Sequence, residues 1–310
     1  MEISAKLVKE LRDKTGAGMM DCKRALIETE GNLELAEEHL RKKGLMDAAK
    51  KSTRTAADGL IAFSISGDRQ AAVLVEVNAE TDFVARNEKF QDLVNGIASV
   101  ALEVNSEEDV LTAKYSGSEK SVKEELDHLI SLIGENMTFR RSTKMDVKNG
   151  VISTYIHGAV KPGMGKIGVL VSLECDGCCC CKDKLDEFGK KIAMHIAAAN
   201  PSYLCSKCVP AEVIEKEKSI VLAQAKEMGK NDDVAAKMAD GRVNKFFEET
   251  ALLEQVFVMD GKAKVKDVLE AYNQENGSKV SITGFTKFVL GEGIEKTETN
   301  FAEEVQSFIK

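Results

Sequence analysis

The sequence is short of several things that a binding or catalytic protein often needs. None of its 310 residues falls in an unbroken apolar run of 18 or so, so no segment reads as a membrane-spanning helix. No sign of charge dominates: Lys and Arg number 43 against 51 Asp and Glu, a formal −8. That balance argues against a broad nucleic-acid footprint, which needs clustered positive charge, and no direct contact with nucleic acid is expected. Histidine is scarce, with four residues at positions 39, 128, 157 and 195. They are dispersed, and His195 within "IAMHIAAAN" reads as a packed, hydrogen-bonded side chain. No Ser, Cys or carboxylate has a sequence partner that would complete a hydrolytic site, so an enzyme is not expected. A G-x-x-x-x-G-K-[ST] loop is missing, which removes the usual cradle for a nucleoside triphosphate. "GMGKIG" at 163–168 matches G-x-G-x-x-G literally but runs into the strand pattern "VLVSLEC" instead of opening a helix, and reads as a hairpin turn. No cofactor is expected.

What is present is globular. Hydrophobic residues make up 43% and charged residues 30%, enough for two or more compact units. "MEISAKLVKELRDKTG" reads as a charged amphipathic helix without a signal-peptide apolar core. Eight cysteines, four of them consecutive at 178–181, suit a reducing compartment. A cytoplasmic protein follows as the expectation.

Along the chain the fold class reads as α+β. Residues 1–44 hold three short helices, the first capped by Ser4 and stopped by Gly16, the second ended by Gly31, the third capped by Asn32 and ended by Gly44. Residues 45–58 read as a linker or an exposed helical tether. From Gly59 the period becomes two: "GLIAFSIS" and "AAVLVEVN" form a hairpin, followed by a helix over 84–104 with Phe90, Leu93, Val94 and Ile97 inward. A helix over 118–133 precedes the strand "MTFRRSTKMDV". "GVISTYIHG" and "KIGVLVSLEC" form a second hairpin with a helix behind it, so the unit at roughly 58–104 recurs at 150–199. Residues 209–248 break at "GKND" into an antiparallel helical hairpin whose outer face could pair with another helix.

Three features exceed what folding requires. Cys175-x-x-Cys178 and Cys205-x-x-Cys208 have the spacing of a four-thiolate zinc site, though an intervening helix separates the pairs; free thiols are the plainer reading. The cysteines leave a zinc scaffold or redox sensor as the alternative function. Met19 and Met20 in "TGAGMMD" suit either a recognition surface or the core of the little bundle. Asp82 and Phe83 stand side by side where strand turns into helix. Phe83 lies seven residues from Phe90, which favours burial on the same face, while Asp82 suits a first helical turn.

"LVKELRDKTGAGMMDCKRAL", "VEVNAETDFVARNEKF", "IGENMTFRR", "KIAMHIAAANP" and "GEGIEKTETNFAEEV", in this order along nearly the whole chain, resemble the bacterial elongation factor Ts family. The resemblance implies a guanine-nucleotide exchange factor whose partner is the translational GTPase elongation factor Tu. It implies a bundle over 1–54, similar to ubiquitin-associated domains, that meets the nucleotide-binding domain of the GTPase through Met19 and Met20. The first half of the core spans 55–144 and carries the "TDFVARN" motif, and the second half spans 145–200 and 244–290. The hairpin at 201–243 matches a region used for self-association, as a homodimer, in some members, and 291–310 matches a C-terminal helical module. Asp82 and Phe83 match residues at the tip of the core that disturb the Mg²⁺ and phosphate site of the partner. Ile133, Gly134 and His157 match further partner contacts. "AVKPGMG" is longer than the turn the family usually has beside "YIHG".

Overall fold

The computed structural model describes residues 3–176 and 182–295. Ser4 starts the first helix (α1, Ala5–Thr15) by accepting the Leu7 amide on its hydroxyl, and Gly16 at φ 69° ends it. The second helix (α2, Met19–Glu28) and the third (α3, Leu33–Lys51) close a small bundle. Its core is Leu11, Cys22, Ala25, Leu26 and Ala36.

The first half of the core opens with a hairpin, β1 (Asp58–Ile65) and β2 (Ala71–Ala79). The helix expected over 84–104 is two helices: one turn, α4 (Asp82–Ala85), then α5 (Glu88–Glu103). The break lies at Asn87, whose side chain accepts the Lys89 amide and caps α5. A short helix α6 (Glu107–Thr112) and a longer α7 (Val122–Ile133) lead into β3 (Met137–Asp146), which pairs with β2. α7 starts four residues later than its apolar pattern suggests, because Ser121 and Glu124 form a reciprocal capping box there.

The second half repeats the plan. β4 (Gly150–His157), a two-residue β5 (Met164–Gly165) and β6 (Ile167–Cys175) precede α8 (Lys182–Ala199). Then come the hairpin helices α9 (Ala211–Glu227) and α10 (Asp232–Thr250), α11 (Val265–Asn276) and β7 (Val280–Val289). The strand orders are β3-β2-β1 and β4-β6-β7, all antiparallel, with β5 added to the free edge of β1. Each central strand carries a register shift at the same place in its unit, between Glu76 and Val77 and between Ser172 and Leu173. Each hairpin also begins with a glycine pressed on its partner: a Cβ at Gly59 would run into the Val77 carbonyl, and one at Gly150 into that of Leu173.

The two sheets pack back to back through Ile61, Ala72, Leu74, Ile152, Leu170 and Phe288. α5 and α7 cover the outer face of the first sheet, and α8 that of the second. The central strands are thus buried on both faces, which is why "VLVEVNA" lacks clean alternation. Glu76 shares a strand parity with Ala72 and Leu74 and is fully buried toward the second sheet. It accepts from Arg140 at 2.9 Å, Arg141 at 2.7 Å and the Gly291 amide at 2.8 Å, which pins the end of β7 to the first half. These bonds outweigh the cost of its burial and hold its carboxyl below the usual range.

The expected stop at Gly44 is corrected, since α3 runs through Gly44 to Lys51; of the two readings of 45–58, the helical one holds as far as Lys51 and the linker does not. The absent side chain lets α3 lie close on α7, since a Cβ at Gly44 would sit 3.2 Å from the Ser131 hydroxyl. Ala48, one turn on, is buried in the core of the first half. The expected C-terminal helical module falls mostly on 296–310, outside the described residues. Among the described residues no helix is long and apolar enough to cross a membrane.

Candidate partner-binding site

The joint between β2 and α5 places Phe83 outward. Val84 and Ala85 turn into the core and Phe90 is fully buried on α5, but the Phe83 ring is 74% exposed. The burial expected from the Phe83–Phe90 spacing is overturned, because Asn87 starts a new helix and the two rings do not share one. Asp82, also exposed, pairs with Arg86 one turn on, at 3.2 Å.

The joint is braced on one side by the segment after α7. The Thr81 amide and hydroxyl donate to Glu135 at 3.1 and 3.0 Å. Glu80 accepts the Asn136 amide and lies 3.5 Å from the Arg54 guanidinium, while the Asn136 side chain donates to the Arg54 carbonyl at 2.7 Å. Ile133 and Gly134 form the turn that makes this brace. Gly134 caps α7 at φ 91°, a conformation that favours glycine, and its amide reaches the Ile130 carbonyl at 2.9 Å. Asp82, Phe83, Ile133 and Gly134 therefore belong to one end of the first half.

Met19 and Met20 project from the first turn of α2, 57% and 65% exposed, and the bundle core closes without them. The alternative in which they fill that core is set aside. A Cβ on Gly16 would lie 3.8 Å from Leu132, so the loop before Met19 sits beside the last turn of α7, next to Ile133. The bundle is held there by Arg41, paired with Glu124 of α7. Between bundle and α7 lies a cleft of about 300 Å³ lined by Lys43, Asp127, His128 and Ser131 among others. Burial lowers the His128 pKa and raises that of Asp127.

His157 stands apart from this grouping, exposed at the end of β4 with Nδ1 3.2 Å from the Tyr155 hydroxyl. The longer turn after it folds back, with β5 pairing to β1 and Lys161 lying 3.5 Å from Asp92 of α5. His195 is packed as expected. The Val258 amide donates to its Nδ1 at 3.3 Å, so Nε2 carries the proton and donates to Gln255 at 2.9 Å. The four-thiolate arrangement and the plainer free-thiol reading are both corrected at Cys205 and Cys208: these two are joined as a disulfide, so they are neither thiolate ligands nor free thiols. Cys175 is a buried free thiol, and Cys178 lies outside the described residues.

Thr81, Glu135 and Asn136 were not singled out from the sequence. Their signal was only a polar "AET" and "GEN" at two element ends, and pairing across 54 residues leaves no local periodicity.

A family model described as Elongation factor TS matches residues 80–292. Elongation factor Ts of Rhodospirillum rubrum is 50% identical, over 100% of this chain and 99% of its own length. That of Bartonella tribocorum is also 50% identical, over 100% of both chains. The chain belongs to the elongation factor Ts family. Membership makes it a translation elongation factor with a nucleotide-exchange role. The full-length alignments take in the bundle, both halves of the core and the helical hairpin together.

Proposed function

We propose that the protein is a guanine-nucleotide exchange factor that binds elongation factor Tu loaded with GDP, loosens the nucleotide and leaves when GTP binds. The observation that carries this reading is the Phe83 ring: a large apolar side chain held out in water on a joint braced by Thr81–Glu135 and Glu80–Asn136. A ring left in water forgoes the stability its burial would give, and a rigid mount preserves its direction, as an interface anchor requires.

In this reading Phe83 enters the partner beside its Mg²⁺ and phosphate site, with Asp82 next to it. Ile133 and Gly134 extend the same surface, and Met19 and Met20 contact the nucleotide-binding domain from the bundle over 1–54. His157 provides a separate contact from the second half, and the hairpin over 201–243 supplies a surface for self-association. A factor that weakens nucleotide binding is itself bound less tightly when nucleotide returns, so one molecule acts repeatedly. The test is release of labelled GDP from elongation factor Tu with and without the protein. Release unchanged by the protein would overturn the proposal.

A further inference from the structure

We propose that Cys205 and Cys208 form an exchangeable thiol–disulfide couple that reacts with low-molecular-weight thiols and sets the freedom of the α9 entry into the helical hairpin.

The pair sits where the hairpin joins the core. On one side the chain is stitched down: the Ser202 and Tyr203 amides donate to the Thr250 carbonyl at 2.8 and 3.0 Å. The Leu252 and Leu253 amides donate back to Tyr203 and Leu204 at 2.8 and 3.1 Å. That fixes the exit of α10. The entry to α9 has no such ladder. Within residues 205–210 the backbone bonds are Cys208 amide to Cys205 carbonyl at 2.9 Å and Val209 amide to Ser206 carbonyl at 3.4 Å, and the Pro210 carbonyl accepts only from the start of α9, from Val213 and Ile214 at 3.0 and 3.3 Å. The disulfide is the covalent tie across this turn.

Two observations make the tie exchangeable. Cys208 is exposed and Cys205 half-buried, so an incoming thiolate reaches Cys208 first, whereas the free thiols Cys22 and Cys175 are buried. The loop closed spans four residues, so short a closure that the bond constrains the unfolded chain little.

The exchange balances with glutathione as reductant. One glutathione thiolate attacks Sγ of Cys208, the S–S bond breaks, and the electron pair leaves on Sγ of Cys205. A second attacks the glutathione sulfur of the mixed disulfide, releasing oxidised glutathione and the Cys208 thiolate. The two protons lost by glutathione end on the two cysteines.

The test equilibrates the full chain in buffers of varied reduced and oxidised glutathione, quenches with acid, alkylates and maps peptides by mass spectrometry. The peptide holding Cys205 and Cys208 is expected to pass from no alkyl groups to two in one transition. Cys22 and Cys175 should stay unlabelled and the circular dichroism unchanged. Amide exchange at residues 206–213 should speed up on reduction while α8 stays protected. A Cys205→Ser/Cys208→Ser protein should show the fast pattern in every buffer. Two thiols persisting in fully oxidised glutathione, a bond that yields only on unfolding, or pairing of either residue with another cysteine would each overturn the couple. Amide exchange indifferent to its state would overturn its control of the hairpin.

Discussion

Thr81 and Glu135 meet across the end of the first sheet, the amide and hydroxyl of one donating to the carboxylate of the other at 3.1 and 3.0 Å. Glu135→Ala leaves two donors without their acceptor and should cost about 1–3 kcal/mol of stability. With the protein still folded, GDP release should fall to between the rates of the unmutated protein and Phe83→Ala, because Phe83 remains but its mount is loosened. An unchanged rate in a folded Glu135→Ala protein would show that the brace does not serve exchange.

Phe83→Ala itself should alter the melting temperature little, since the ring fills no cavity. Its cost should appear in partner binding and GDP release, at about 2 kcal/mol or about thirtyfold for a buried interface anchor. Asp82→Ala should lower release by less and change stability by about 0.3–1 kcal/mol, the scale of a first-turn charge. Thermal melts alongside labelled-GDP release separate these effects.

Removing residues 1–54 is not a clean test of the bundle, because Ala48 belongs to the core of the first half and α3 covers α7. Met19→Ala/Met20→Ala is cleaner. Both side chains are exposed, so folding should be unaffected, and affinity for elongation factor Tu measured by calorimetry should drop by about tenfold, or 1.4 kcal/mol. Unchanged affinity would remove these two residues from the interface.

His195 makes stability depend on pH. Burial lowers its pKa below the ordinary 6.5, with the Gln255 hydrogen bond opposing. The unfolded chain therefore binds the proton more readily, and the stability from the neutral ring is whole above about pH 6.5 and lost as pH falls toward the folded value. His128 shifts in the same direction, chiefly by burial. The melting temperature should decline between pH 7 and pH 5, and His195→Gln and His128→Gln should each flatten that decline relative to the unmutated protein.

Much of this was legible where the signal is local. Ser4, Gly16 and Asn32 marked helix ends because caps act within a turn, and the recurring hairpin and helix showed the duplication. Gly44 misled because its role is decided by Ser131, on another helix. Phe83 misled because a spacing of seven assumes one continuous helix, whereas Asn87 ends one and begins another. The Thr81–Glu135 brace and the ligands of Glu76 come from distant segments and leave no periodic trace. The cysteine spacing set free thiols against a shared metal, and neither reading holds at Cys205 and Cys208, whose sulfurs are bonded to each other.

The back-to-back packing of the two sheets also constrains the order of events during synthesis. Ile61, Ala72 and Leu74 leave the ribosome long before Ile152 and Leu170, and Phe288 follows much later still. Until then the nascent first half carries a finished outer face under α5 and a wet apolar inner face. Glu76 waits as well, since the Gly291 amide that completes its shell lies 215 residues further along the chain. The back-to-back core cannot close before β7 has been made, and the interval before that is when an apolar face most needs shielding from other nascent chains.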